Sequence, residues 1–380
     1  MHVSVDHAAL QRAVATLAPV FGGTTITYGP IGSVRLDTHR RTLRLTAYGS
    51  EAALMLTVPA QIEDPGEVIL PGKLFGAVVE ALDREPVVLV RTPEGLRVDC
   101  GASQFVLAVT TVEAPSLEVM LQDAVPLPAH ALSSALERVS FAASTRQTYG
   151  PAALGGVLLE VGESRLRAVA TDGAQLALAE RSLASDAHLA LRYIVPVRTA
   201  AMLARLLRTL PENSEVQLAA SEHAVFLQWD GGRLRARPLD GTFPDYQRVL
   251  AGEPDATTRI HASRAALLTA LRRVGAVVPE QVKVVVLKQD ADTLVVLAPR
   301  NEVGSATDRI PAAFAGTPAD VGVNAALLIR GLSTLAAGSD EVVIHLRGPT
   351  APIILEPAGD TADRYVLAPV RLAEPIAGRV

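Results

Sequence analysis

A two-strand pattern that occurs three times along the chain is the feature that most limits the possible folds. Its clearest copy is 154–160 followed by 166–176, with a Gly-Glu-Ser turn at 162–164 between the two apolar stretches. Alternating apolar residues on either side of such a turn predict paired β-strands. The corresponding second arms begin at Leu43 and Leu294, so the pattern recurs about every 125 residues, which is the size of one domain. The sequence therefore predicts three similar domains.

The composition of the intervening segments indicates where these domains meet. Segments 122–128 and 251–257 are rich in Pro or small polar residues. We expect domains at 1–123, 124–252 and 253–380, the last with a tail at 373–380. Each begins with a short amphipathic helix and contains a second one after its first hairpins, so the fold class is α+β with antiparallel sheets. The predicted helices are His7–Thr16, Lys73–Leu82, His130–Val139, Arg198–Leu210, Arg264–Val274 and Ala325–Ala337.

The charges are segregated between these helices and the rest of the chain. The formal net charge is −5, which by itself argues against nucleic-acid binding. The six helices nevertheless carry ten basic and two acidic residues. For any single helix, a merely solvated face is the simpler explanation, but six helices of one polarity favour a shared positive surface. Such a surface would attract phosphates without reading bases, since no recognition-helix, zinc-finger or RNP signature is present.

The sequence offers no assembled catalytic or metal site. Cys100 is the single cysteine, and the eight histidines are scattered without metal-ligand spacing. The segment ending in Gly72-Lys73 differs from a phosphate-binding loop in its glycine spacing and in Leu74, and Thr171-Asp172-Gly173 is typical of a turn. We therefore expect a non-enzyme without metal or cofactor. Neither a signal-peptide pattern nor an apolar run long enough for a membrane span is present, so a cytoplasmic location is predicted.

Three segments identify a family resemblance. They are 154–159 with Ala-Thr-Asp-Gly at 170–173, Phe-Pro-Asp-Tyr-Gln-Arg-Val at 243–249, and Tyr-Val-Leu-Ala-Pro-Val-Arg-Leu at 365–372. Together they resemble the β sliding clamp family of bacterial DNA polymerase III, and the resemblance extends from Met1 to Leu372. It implies three clamp domains per chain, each with two helices packed on antiparallel sheets, that close as a head-to-tail dimeric ring. Helices would line the hole and sheets would form the rim.

The resemblance also implies a cleft between the second and third domains that binds short peptides of partner proteins. Ala174 and Gln175 stand where the family commonly has His and Arg, and Ala368 and Val370 stand where Met is frequent. The cleft is therefore expected to be less cationic and less adaptable, because Met repacks readily. The positions that match the cleft or adjoin it are Leu154, Thr171, Gly173, Ala174, Gln175, Leu176, Pro244, Arg248, Val249, Val366, Leu367, Ala368, Pro369, Val370, Arg371 and Leu372.

Two further surfaces are expected. The DNA-facing residues would be Arg12, Lys73, Arg138, Arg146, Arg198, Arg205, Arg208 and Arg272, whereas Thr24 stands where relatives often have an Arg that reaches DNA. By resemblance, the subunit interface would contain Phe105, Leu107, Ala276 and Val277.

The function that these features favour is a non-catalytic processivity ring, nucleoid-associated in the cytoplasm. It would encircle double-stranded DNA without sequence preference, pair with a second copy, and tether the DNA polymerase III catalytic subunit, the clamp loader and other clients through short linear motifs. Two alternatives remain open from the residues. One is a repeat-built scaffold for protein interactions that does not encircle DNA, and the other is an enzyme with a divergent phosphate site near Gly72-Lys73.

Overall fold

The computed structural model describes residues 1–21, 29–83, 85–117, 124–145, 151–184, 190–221, 223–251, 255–279, 283–334, 339–359 and 362–372. Their contacts form two compact units. Unit 1 contains Met1–Ser133 and Ala201–Pro238, and unit 2 contains Ser134–Ala200 and Leu239–Val380.

One order of elements occurs three times along the chain: β-α-β-β-β-β-α-β-β-β. The first repeat consists of β1 (His2–Val5), α1 (His7–Leu17), β2 (Ser33–His39), β3 (Thr42–Tyr48), β4 (Ala52–Asp64), β5 (Glu67–Pro71), α2 (Gly72–Ala81), β6 (Val87–Arg91), β7 (Leu96–Cys100) and β8 (Ser103–Leu107).

The second and third repeats follow the same order. The second consists of β9 (Val125–Pro128), α3 (Ala129–Val139), β10 (Gly156–Gly162), β11 (Arg165–Thr171), β12 (Gln175–Ser182), β13 (Leu191–Pro196), α4 (Val197–Arg208), β14 (Glu215–Ser221), β15 (Ala224–Trp229) and β16 (Gly232–Ala236), followed by a short helix, α5 (Tyr246–Leu250). The third consists of β17 (Thr258–Ser263), α6 (Arg264–Gly275), β18 (Val284–Asp290), β19 (Thr293–Ala298), β20 (Ala306–Gly316), β21 (Val321–Asn324), α7 (Ala325–Thr334), β22 (Glu341–Leu346), β23 (Ile353–Pro357) and β24 (Arg364–Leu367).

All six predicted helices are present, and the differences lie at their ends. The fourth stops at Arg208 because the amides of Thr209 and Leu210 bond to carbonyls three residues back, and Pro211 follows. The sixth ends at Thr334 within the described residues. At the start of α1, the side chain of Asp6 caps the helix by accepting a hydrogen bond from the Ala9 amide.

The central hairpin differs from its sequence-based prediction in two details. Leu154 does not start the first strand, because the Leu154 amide bonds to the Pro151 carbonyl (3.0 Å) in a 3-10 turn and β10 begins at Gly156. The second arm ends at Thr171, so that Leu176 belongs to the next strand, β12. The predicted turn between β10 and β11 is confirmed, with Glu163 and Ser164 both at positive φ (51° and 55°), the geometry of a tight hairpin.

Unit 1 is built on one antiparallel sheet in the order β8-β7-β6-β1-β4-β16-β15-β14-β9, which β4 connects to β3, β2 and β5. Helices α1 and α2 pack together and against β4 and β5 respectively. The side chains of Leu10 and Leu17 on α1 and of Phe75 on α2 are fully buried. Helix α2 begins at Gly72, where a Cβ would lie 2.2 Å from the Phe21 ring, so glycine permits this close packing.

Unit 2 is built on a second antiparallel sheet in the order β13-β10-β11-β12-β24-β23-β22-β17-β20-β19-β18-β21. Helices α6 and α7 pack on it. The strands of the middle repeat are thus divided, because β16 pairs with β4 in unit 1 and β12 pairs with β24 in unit 2. At both junctions the last strand of one repeat pairs with the fourth strand of the preceding repeat.

Candidate functional site

The turn between β11 and β12 is fixed by side chains within it. The Thr171 hydroxyl donates to the Gln175 carbonyl (2.6 Å) and accepts from the Gly173 amide (3.1 Å). The Asp172 carboxylate accepts from the amides of Ala174 (2.9 Å) and Gln175 (3.0 Å). Gly173 has φ of +91°, which its missing Cβ allows. The sequence-based assignment of this Asp-Gly pair to a turn is therefore confirmed.

The Gln175 side chain lies beneath this turn instead of facing solvent. It is only 3% exposed. Its Nε2 donates to Asp172 Oδ2 (2.9 Å), and its Oε1 accepts from the Tyr365 hydroxyl (2.7 Å). Because the Gln175 amide is satisfied inside the protein, this position presents no donor at the surface. Gln175, which stands where the resembling family commonly has Arg, therefore contributes a buried side chain at this predicted cleft position.

Apolar side chains from four segments of unit 2 meet beside the turn, and we call them the cleft cluster. Leu176 of β12 and Val366 of β24 face each other across the strand pair. Phe243 and Tyr246 come from the segment after β16, and Ile354 comes from β23. Half-buried side chains complete the cluster on its exposed side: Leu239, Val249 and Leu250.

Helix α5 is held over the cleft cluster by the Tyr246 hydroxyl. This hydroxyl donates to Glu160 Oε2 (2.6 Å) and accepts from Arg167 Nη1 (3.2 Å). Arg167 is held in turn by Glu180, with Nε at 2.8 Å from Oε2. Burial raises the pKa of Tyr246, and the hydrogen bond to Glu160 raises it further, so the hydroxyl stays protonated as a donor. One face of α5 thereby keeps Val249 half-buried while Arg248 remains exposed.

The segment after β24 forms the opposite margin of the cleft cluster. The Ala368 amide bonds to the Ala174 carbonyl (2.9 Å), and the Val370 amide bonds to the Gly322 carbonyl (2.8 Å). A Cβ at Gly322 would lie 2.5 Å from the Val370 carbonyl oxygen, so glycine permits this close approach. The terminal segment is thereby bound to both β12 and β21 by its main chain.

The sequence-predicted cleft positions fall into two groups. The side chains of Thr171, Gln175, Leu176, Val366 and Leu367 are buried. The remaining positions are half-buried or exposed: Leu154, Gly173, Ala174, Pro244, Arg248, Val249, Ala368, Pro369, Val370, Arg371 and Leu372.

The predicted DNA-facing residues lie in different environments. The observed helix bounds leave the count of ten basic and two acidic residues unchanged. Arg138 is half-buried. Its guanidinium lies 3.2 Å from Asp363 and donates to the Thr334 carbonyl. Burial lowers the pKa of Arg138, although the Asp363 charge opposes this effect. Arg146 lies outside the described residues, as does Thr24. The exposed members are Arg12, Lys73, Arg198, Arg205, Arg208 and Arg272.

The four predicted interface residues lie at two separate places in the chain. Phe105 and Leu107 lie on β8, an edge strand of the unit 1 sheet; Phe105 is half-buried and Leu107 is buried. Between them, Val106 is 53% exposed on the other face of the strand. In unit 2, Ala276 and Val277 directly follow α6 and are exposed and half-buried respectively.

Residues that sequence reasoning did not select complete this region. Tyr365 is 1% exposed, packs 5.5 Å from the Phe141 ring centroid, and also donates to the Leu327 carbonyl of α7 (2.8 Å). Asp363 is paired with Arg181 as well as with Arg138. Only the family-like segments drew attention to Tyr246 and Tyr365, and their spacing alone gave no sign of their partners.

In the parts of the chain that the structure describes, no three His, Cys, Asp or Glu side chains converge as metal ligands would. Helices in the same parts are too short or too polar to cross a bilayer.

Comparison with protein families gives a match over nearly the whole chain. Residues 1–117 match the N-terminal domain of the DNA polymerase III beta subunit, residues 126–245 match its central domain, and residues 253–371 match its C-terminal domain.

Individual relatives agree with this match. The beta sliding clamp of Pseudomonas putida is 28% identical over 98% of this chain and 100% of the relative. That of Synechococcus elongatus is 28% identical over 88% of this chain and 90% of the relative. A crystal structure of a sliding clamp from Pseudomonas aeruginosa bound to griselimycin superimposes with a TM-score of 0.89 at 25% identity, covering 98% of this chain and 100% of that one.

Proposed function

Because this chain belongs to the DNA polymerase III beta subunit family and is a DNA sliding clamp, we propose that two copies close head to tail around duplex DNA. The ring tethers the polymerase catalytic subunit, the clamp loader and other clients without performing chemistry itself. It acts in the cytoplasm at the nucleoid. We place the domain limits at 1–123, 124–252 and 253–380.

The proposal of a ring rests on two unpaired strand edges, one in the first repeat and one in the third. Within the described residues, β8 has a strand neighbour only on its β7 side. Residues 306–311 of β20 pair with β19 on one side, while the pairing with β17 begins at Ala312. These are the last strand of the first repeat and the fourth strand of the third. They are therefore the two elements that would form a third junction like β16–β4 and β24–β12, and unpaired edges favour such addition.

The internal junctions predict the register of this third junction. In each repeat, one residue of the fourth strand pairs with the last residue of the third strand. This residue is Ala53 in β4, Leu176 in β12 and Ala306 in β20. In unit 1, Ala53 pairs with Arg235, the fourth residue of β16. Both β8 and β16 follow a two-residue turn, so Val106, the fourth residue of β8, is expected opposite Ala306 of the second copy.

The same equivalence supports the predicted apolar contacts of the interface. Position 105 in β8 corresponds to Tyr365 in β24, and Ala276 after α6 corresponds to Phe141 after α3. Tyr365 and Phe141 pack against each other in unit 2. Phe105 of one copy is therefore expected to pack against Ala276 and Val277 of the other. Ala276 is smaller than Phe141, which is the partner of Tyr365 in unit 2.

DNA contact is proposed to be directed at phosphates by the exposed basic residues of the helices. Arg suits this role because its planar guanidinium can bind phosphate in a bidentate manner. Contacts to phosphates do not depend on the base sequence, so the ring is expected to slide along the duplex.

Replacing Arg198, Arg205 and Arg208 of α4 together with Ala should weaken the salt dependence of binding to short linear duplex DNA. Each phosphate contact contributes about −0.9 to the slope of log affinity against log salt, so the slope should lose up to ~2.7 in magnitude. Fluorescence anisotropy over a salt series measures it, with Arg233→Ala on the hairpin β15–β16 as a matched control. An unchanged slope, or a change confined to one DNA sequence, would contradict phosphate-directed binding.

Clients are proposed to dock short peptides with aliphatic or aromatic anchors on the half-buried side of the cleft cluster. Each buried anchor contributes about 1.5–3 kcal/mol. With two or three anchors, and after the cost of ordering the peptide, the dissociation constant is expected on the order of micromolar.

Retention on DNA tests the proposed function as a whole. After loading, the wild-type chain should stay on nicked circular DNA through gel filtration and should be lost when the circle is cut, because only topology retains a ring. Equal loss from circular and linear DNA would instead favour a scaffold that does not encircle DNA.

A further inference from the structure

The floor of the client cleft is connected to helix α7 by a series of hydrogen bonds, of which one is buried and two are partly buried. The series runs from the Leu327 carbonyl of α7 to the Tyr365 hydroxyl, then to Gln175 Oε1, and from Gln175 Nε2 to Asp172 Oδ2. Each contact measures between 2.7 and 2.9 Å. Asp172 in turn holds the amides of Ala174 and Gln175, so the series ends in the turn that borders the cleft.

The direction of each hydrogen bond in this series is determined by its neighbours. An ionised Asp172 can only accept, so the Gln175 amide nitrogen must face it and the amide oxygen must face Tyr365. The Tyr365 hydroxyl then has two acceptors, Gln175 Oε1 and Leu327 O, for its one proton. Burial raises the pKa of Tyr365, so the hydroxyl keeps that proton and remains a donor.

The Tyr365 ring is seated independently of its hydroxyl. A Cβ at Gly331 would lie 1.9 Å from the ring, so the glycine of α7 leaves room for it, and the Phe141 ring also packs against it. Removal of the hydroxyl oxygen alone therefore leaves the ring and its packing in place, while it leaves the Gln175 oxygen buried without its donor.

We propose that Gln175 and Tyr365 are positioning residues that hold the turn 171–175 in the shape that admits a client peptide. This inference rests on the proposed cleft and deepens it. Neither side chain touches the peptide, since both are buried. They act through Asp172, which fixes the exposed backbone of Gly173 and Ala174 at the margin of the cleft.

The test compares Tyr365→Phe, Gln175→Met and the double variant with the wild-type chain. If the turn is competent in only ~10–30% of molecules once the series is broken, the apparent dissociation constant for a Leu- and Phe-containing peptide rises about 3- to 10-fold. Both residues belong to the same series of hydrogen bonds. The double variant should therefore bind the peptide no more weakly than the weaker-binding single variant does. Tyr193→Phe, a half-buried tyrosine of β13, is the matched control.

Hydrogen exchange of individual amides distinguishes a local change in the turn from a general loss of stability. The Gly173, Ala174 and Gln175 amides should exchange faster in Tyr365→Phe and Gln175→Met, while amides in the centre of β11 and β23 stay as protected as in the wild-type chain. Wild-type affinity together with wild-type exchange in both variants would overturn the inference. If the wild-type chain itself fails to bind the peptide, the proposed cleft fails instead, so the two failures are distinguishable.

Discussion

Replacing Phe105 with glutamate is expected to convert the dimer into single chains. The proposed junction places the Phe105 ring against Ala276 and Val277 of the second copy, where a carboxylate would be buried without a partner. Desolvating such a charge costs at least ~3 kcal/mol, so the dimerisation affinity is expected to fall at least ~100-fold. Phe105 is only half-buried within its own chain, so the variant is expected to fold.

Sedimentation equilibrium and native mass spectrometry measure this change, and retention on circular DNA should be lost with it. Val90→Glu is the matched control: it places the same charge on a half-buried position of the same sheet, opposite Arg97 and away from the open edge. A Phe105→Glu chain that stays dimeric at nanomolar concentration would argue against β8 as the interface strand.

Replacing Val249 with aspartate is expected to weaken client binding by more than ~30-fold without affecting the ring. Val249 lies on α5 at the half-buried side of the cleft cluster, so a carboxylate there removes an apolar contact and leaves a charge under the docked peptide. Loss of one anchor contact of about 2 kcal/mol weakens the affinity roughly 30-fold, and desolvation of the charge adds to this. The buried Leu176 is a less informative target, because a charge at that position would also disturb the core.

Calorimetric titration with the same Leu- and Phe-containing peptide measures the effect. Ala315→Asp places an identical charge on an exposed position of β20, opposite Arg259 and outside the cleft cluster, and should bind as the wild-type chain does. If Val249→Asp also binds normally while remaining folded and dimeric, the client site lies elsewhere.

The repeat and its helices could be predicted from the sequence because each depends on local periodicity. Every helix whose apolar spacing was recognised is present, and the hairpin turn at 162–164 has the positive φ values that its residues favour. Helix α5 is shorter than two turns, so it leaves no periodic signal. Leu154 was assigned to a strand because its neighbours are apolar, whereas its amide bonds to the Pro151 carbonyl in a 3-10 turn.

The placement of individual site residues was harder to predict, because it depends on partners distant in sequence. Gln175 lies 190 residues from Tyr365, and no local pattern tells whether its amide faces solvent or core. Arg138 carries the same charge as the exposed Arg205 but is paired with Asp363, 225 positions later in the chain. Sequence periodicity identifies the face of a helix, whereas burial of a particular polar group is decided by the tertiary structure.

The ion pairs around Asp363 indicate where the proposed dimeric ring would open. In unit 2 the junction of the second and third repeats is tied by Arg138 and Arg181 to one buried carboxylate and by the hydroxyl of Tyr365. At the corresponding positions of the subunit junction stand Ser103 and Phe105, and Arg273, the counterpart of Arg138, is already paired with Asp308 of its own chain. We therefore expect the proposed ring to open at the subunit junction, because the positions compared there lack the pairing that joins Arg138 and Arg181 to Asp363.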